Sequence, residues 1–267
     1  MSTLSKIEKQ YPRKKERLSV LMYHGTIKSE ADIPPQRETG AKLYDLADEM
    51  FKKQMNYLKT WSCFVTTVDR LDPNRFNIVL TFDDGEENNF FVAYPILAQN
   101  GFPAYFFVTA NRVGEDGYMT WQQLKAMQKE EMIIGSHGLN HIILTDLSDA
   151  ELNRELLDSK VMIEDNLNSK VKDFAVPRGF FNEKVVEAAR RAGYQNIFVS
   201  GIKNIPPDCI GRIAVKSDWT IRRFKQALKN QTPLNERLFY SAKKITKNLF
   251  GDKGYDLLRS GLLKGRK

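Results

Sequence analysis

Short apolar runs alternate with longer amphipathic stretches along this chain, and that alternation predicts its elements. Leu18 to Tyr23 is an unbroken apolar run that stops at His24-Gly25 and reads as a strand. Residues 27–40 hold Pro34-Pro35 among polar side chains and read as a surface loop. From Leu43 to Thr60, core-type residues Leu46, Met50, Met55 and Leu58 fall at helical spacing. A strand–helix rhythm follows. Strands are expected over 77–82, 103–108, 132–136, 171–176 and 196–200. Helices are expected over 88–100, closed by Gly101; from a Thr120 cap to Glu130; from Ser148 to about Leu167; and over 182–192, ended by Gly193. The third of these opens on Ser148-Asp149-Ala150-Glu151, a capping box. Gly211 to Val215 suits an edge strand after this body. Strands separated by helices of this length require parallel pairing with crossovers, and six or more favour a closed barrel over an open sheet.

The expected architecture is therefore α/β: a barrel over 18–220, preceded by a loose basic arm at 1–17 and followed by a helical C-terminal appendage at 221–267. Charge supports that division. The chain of 267 residues carries a net +8. Residues 221–267 hold 13 basic and 3 acidic side chains, a balance of +10, which leaves −2 for residues 1–220. The basic character belongs to the C-terminus, which argues against a nucleic-acid enzyme. Leu238, Ala242, Ile245 and Leu249 share one helical face with lysines off it, so a segment at 236–267 could make peripheral contact with an anionic membrane. No apolar run is long enough to span a bilayer and no secretory signal is visible, so the expected location is cytoplasmic, with peripheral contact at the inner membrane face. Two cysteines far apart, Cys63 and Cys209, exclude a disulfide framework and a thiolate zinc site. No glycine-rich phosphate loop joins a strand to a helix, so nucleotide binding has no support.

The chemistry gathers at two strand ends. Ile78 to Phe82 is a buried-type run that ends in Asp83-Asp84-Gly85, and α/β folds place reactive groups at the C-terminal ends of their strands. Adjacent carboxylates can divide labour, one binding a cation and the other moving protons. His137 and His141 follow the run Met132 to Ser136, and they are two of only three histidines. A helical turn there puts both imidazoles on one face. Two imidazoles and a carboxylate suit Zn²⁺, and ligand type alone leaves Co²⁺, Ni²⁺ and Fe²⁺ open. The third histidine, His24, also closes a strand and faces the same rim in a parallel barrel.

Thr81-Phe82-Asp83-Asp84-Gly85 and Ser136-His137-Gly138-Leu139-Asn140-His141 resemble the first two motifs of the NodB-type polysaccharide deacetylases, carbohydrate esterase family 4. Trp121 and Leu124 resemble the approach to the histidine motif, Leu144 to Ser148 its exit, and Phe174 to Gly179 the third motif. The likeness covers about 18–220. It implies a distorted (β/α) barrel and removal of N-acetyl groups from sugars. It makes Asp83 the general base and Asp84, His137 and His141 the ligands of a divalent metal, Zn²⁺ first among candidates. It also implies that the metal and a backbone N–H near Arg178 or Gly179 stabilise the oxyanion. The chain departs from the pattern in three places. No histidine follows His141, and Leu21-Met22-Tyr23-His24 resembles the early motif of the circularly permuted poly-N-acetylglucosamine deacetylases, which makes His24 the candidate acid. Arg178 replaces the usual tyrosine, so Arg178 either orients Asp83 or binds substrate, with Arg212 a second candidate for orienting the base. Asp218-Trp219 only superficially resembles the fourth motif. The expected substrate is an N-acetylated glycan or a lipid-linked sugar. A deformylase or amidohydrolase acting on a small amide, and a silent glycan-binding relative, are the alternatives.

Overall fold

Seven of the apolar runs pair side by side, all parallel, until the last meets the first. The computed structural model describes residues 17–38, 40–202 and 205–229. Its strands are β1 (Leu18–Tyr23), β2 (Thr26–Ile27), β3 (Leu46–Ala47), β4 (Cys63–Val65), β5 (Phe76–Phe82), β6 (Tyr105–Val108), β7 (Ile133–Ser136), β8 (Asp173–Ala175), β9 (Asn196–Ser200) and β10 (Cys209–Ala214). The main sheet runs β1-β10-β9-β8-β7-β6-β5, and β5 pairs back onto β1 over the full register Leu18↔Asn77 to Tyr23↔Phe82. This is a closed (β/α) barrel. β4 shares the edge of β5 with β6: β4 covers Phe76 to Ile78 and β6 covers Thr81 and Phe82, so the wall is doubled at its lower end and distorted there.

The segment around Arg212 corrects the expectation of an edge strand. β10 lies between β9 and β1 and closes the barrel. The turn after β1 also differs from the periodicity. A short 3₁₀ turn at Ala41–Tyr44 and β3 precede the helix, which runs only over Asp48–Thr60 (α1). The other helices follow the caps. α2 is Tyr94–Asn100, preceded by a π-turn at Asn89–Ala93; α3 is Trp121–Lys129; α4 is Asp149–Leu167; α5 is Glu183–Arg191; α6 is Ile221–Leu228. Thr120 and Ser148 both form complete capping boxes, each accepting the N–H of the third helical residue. α6 buries Phe224 and Leu228, and its last carbonyl accepts a hydrogen bond from Ser19 of β1, so this part of the basic segment lies against the barrel. The amphipathic stretch at 236–267 and most of the arm at 1–17 lie outside the described residues. Among the described residues no helix is long and apolar enough to cross a membrane.

Strand periodicity sorts the core into two layers. Val20, Val79, Tyr105, Phe107, Ala175, Phe198 and Ile210 fill the barrel interior. Leu21, Ile78, Leu80, Phe82, Phe106, Phe174 and Val199 point outward, into the layer shared with Phe51, Leu97, Leu152, Leu156 and Val185 of the helices. Gly135 of β7 is required by this filling: a Cβ there would lie 2.6 Å from the Phe107 ring and 2.9 Å from the Asp173 carbonyl. The interior is thus packed solid beneath the rim, and chemistry can occur only above it.

Candidate functional site

The interior register carries the functional side chains to the rim. Counting in twos from Val20, Val79 and Gly135 reaches His24, Asp83 and His137, just past the C-terminal ends of β1, β5 and β7, and from Ile210 it reaches Arg212 within β10. Asp84 breaks the alternation. Its φ of 74° turns the chain after β5 and sends its carboxylate sideways, so the neighbouring acids face different partners.

Asp83 faces Arg212. The guanidinium donates from Nη1 to Oδ1 at 2.6 Å and from Nη2 to Oδ2 at 2.8 Å, with Nη1 also reaching Thr81 Oγ1 at 3.2 Å. Arg212 is fully buried and stands over the rings of Phe107 and Phe198, at 5.5 and 6.0 Å from the ring centres. Burial alone would raise the Asp83 carboxyl, but the Arg212 charge and its two bonds outweigh it and hold the acid below the ordinary range. Of the two arginines considered from the sequence, Arg212 is the one that grips Asp83. Arg178 stands on the same rim, just past β8, with φ 59°.

Asp84 faces both histidines. Its Oδ1 lies 3.1 Å from His141 Nε2 and 3.4 Å from His137 Nε2, and the two rings are 5.1 Å apart. Asp84, His137 and His141 are all buried, and one candidate ligand atom from each lies within 4.8 Å of the others. The stretch 137–141 is not the helical turn expected from its spacing. It is a loop with positive φ at Gly138 (81°) and His141 (56°). Glu155 of α4 holds that loop, accepting the N–H groups of Leu139 and Asn140 at 3.0 and 3.1 Å as well as the Asn140 amide. On its other side the Gly138 and Leu139 carbonyls accept from Ala110 and Asn111.

The outer nitrogens settle what the inner ones can do. His137 Nδ1 lies 2.8 Å from the Ala175 carbonyl, which can only accept, so Nδ1 carries the proton. His141 Nδ1 lies 2.6 Å from Glu38 Oε1. With both Nδ1 atoms protonated, two Nε2 lone pairs and a carboxylate oxygen converge, and Asp84 Oδ1 has no hydrogen-bond partner despite being buried. Such a set fits a divalent cation. Burial would lower the His141 value, yet Asp84 and Glu38 raise it to about 9.

His24 is half-buried and stacks on Tyr44, ring centres 4.7 Å apart. Burial lowers its pKa, and the charges of Asp84 and Asp83 oppose that shift, which places the imidazole in the field of both acids. Its Nδ1 has no partner. Sequence reasoning missed Glu38 and Glu155. Glu155 lies on the inner face of an expected helix at a position where a buried glutamate is rare, and that was a usable signal. Glu38 carried none, since it stands in a stretch that reads as surface loop.

Residues 70–197 match the sequence model of the polysaccharide deacetylase family. YxkH of Bacillus subtilis, named as a polysaccharide deacetylase, is 28% identical over 182 residues, covering 68% of this chain and 64% of that one. The poly-beta-1,6-N-acetyl-D-glucosamine N-deacetylase of Staphylococcus aureus is 26% identical over 203 residues, covering 66% of this chain and 70% of the relative. The fold is shared with the deacetylase PplD of Streptococcus pyogenes at a TM-score of 0.69 and 23% identity, over 79% of this chain and 97% of that one. The similarity to the polysaccharide deacetylase family thus covers residues 70–197, and these relatives extend it over about two thirds of the chain.

Proposed function

We propose that this chain is a divalent-metal-dependent hydrolase that removes the N-acetyl group from an amino sugar within a glycan. One observation carries the reading: Asp84, His137 and His141 converge with both outer histidine nitrogens engaged, beside a second acid held by a buried arginine. Asp84 Oδ1 and the two Nε2 atoms would hold the cation, which supplies Lewis acidity toward the acyl oxygen and the attacking water. Asp83 accepts the water proton. Its Oδ2 stands 3.9 Å from His137 Nε2, close enough to serve the same centre. Arg212 keeps Asp83 ionised and aimed. His24, on the same rim, is the proton donor to the departing amine. Burial favours its neutral form, so its charged form is a strong acid. Arg178 contributes to substrate and oxyanion binding from the β8 end. The Staphylococcus aureus relative, named for poly-N-acetylglucosamine, supports an N-acetylglucosamine unit as substrate.

The test is acetate release from N-acetylglucosamine oligomers by the purified chain, after chelation and after Zn²⁺ or Co²⁺ add-back. Metal-dependent acetate supports the proposal, and metal bound without acetate redirects it to another amide. Asp83→Asn should keep the metal and lose most turnover. His24→Ala should lose the alkaline limb of the pH–rate profile.

A further inference from the structure

We infer that Glu38 is a positioning residue for the metal ligand His141, and that the loop carrying it is part of the metal site. The inference rests on the metal-site reading above. Glu38 and His141 are 103 residues apart, yet Oε1 lies 2.6 Å from Nδ1. Arg112 forks the same carboxylate, with Nη1 3.3 Å from Oε2 and Nη2 on Oε1. The Arg112 guanidinium is itself placed over the Tyr118 ring, 5.3 Å from its centre. The next residue back is anchored separately: Arg37 donates to Asp45 and to Glu86. Tyr118 also donates to the Gln36 carbonyl at 3.0 Å. A loop tied at three successive residues presents Glu38 to His141 in one orientation.

The chemistry gives that orientation a purpose. A carboxylate that accepts the Nδ1–H fixes the tautomer that leaves Nε2 free, stops the ring from rotating, and makes the imidazole a better electron-pair donor. His137 achieves the first two with a neutral backbone carbonyl. His141 sits in a positive-φ loop residue and has the charged partner instead.

The experiment titrates chelator-stripped full-length protein with Co²⁺, reading the visible d–d spectrum and measuring affinity by competition with a chelator. Glu38→Ala should weaken Co²⁺ binding roughly 10–100-fold and alter the band shape. Glu38→Gln keeps an oxygen acceptor for Nδ1–H without the charge and should recover part of the loss, binding on the order of 3–10-fold more weakly than wild type. Circular dichroism of the stripped proteins separates this from unfolding, and the near-isosteric Glu38→Gln carries the test if the alanine variant does not fold. Wild-type affinity and spectrum in both folded variants overturn the inference, provided Asp84→Ala abolishes binding. No Co²⁺ spectrum in wild type removes the metal-site reading and the inference together.

Discussion

Arg212→Met asks whether the buried ion pair beneath the rim is coupled as its geometry indicates. Arg212 is completely enclosed, Asp83 is nearly so, and two bonds of 2.6 and 2.8 Å join them. Methionine fills much of the arginine volume against Phe107 and Phe198 but leaves Asp83 without its counter-charge. Stranding one member of a buried pair costs about 3–5 kcal/mol. Asp83→Asn strands the guanidinium instead and should cost a similar amount. The double variant strands neither, so the two losses should overlap, with a coupling of about 2 kcal/mol or more. The sign with pH also follows. In wild type the folded Asp83 value lies below its unfolded value, so its contribution is present above the unfolded pKa and is lost as pH falls. In Arg212→Met burial acts unopposed by the arginine and the Asp83 value rises, so the deficit relative to wild type grows from acid toward neutral pH. Urea melts of the four metal-free proteins at two pH values measure both effects. Additive losses, or a deficit that shrinks toward neutrality, would refute the reasoning.

Three further outcomes are expected. Burial raises Asp173 to about 6, against the opposing bond from Asn196 at 2.8 Å, so its stabilising contribution is complete below its unfolded value and lost as pH rises through about 6. Asp173→Asn should therefore gain roughly 3 kcal/mol over wild type at neutral pH and little at pH 4, read by urea melts. Gly135→Ala forces a methyl against Phe107 and the Asp173 carbonyl and should cost about 1–3 kcal/mol by thermal unfolding. Glu155→Ala removes the acceptor of two backbone N–H groups in the histidine loop; it should cost about 2–3 kcal/mol and weaken metal binding, checked by melts and chelator competition.

The sequence by itself determined what depends on near neighbours. The Ser148 capping box and the run to Leu167 give α4 at its observed bounds, and the apolar runs give β1 and β9. The ends of the apolar runs mark His24, Asp83, Asp84 and His137, and the motif spacing marks His141. These signals are local because caps, turns and alternation act within a few residues. The tertiary structure decided the rest. It inserted Cys209–Ala214 between β9 and β1 rather than at an edge, and it turned Asp84 and His141 into positive-φ conformations to bring three donors together. It also assigned Arg212, 129 residues away, to Asp83, and drew Glu38 out of an apparent surface loop onto His141. Each of these is a pairing between distant segments, fixed by barrel closure and by the need of buried charges for partners, and neither constraint leaves a periodic trace in the chain.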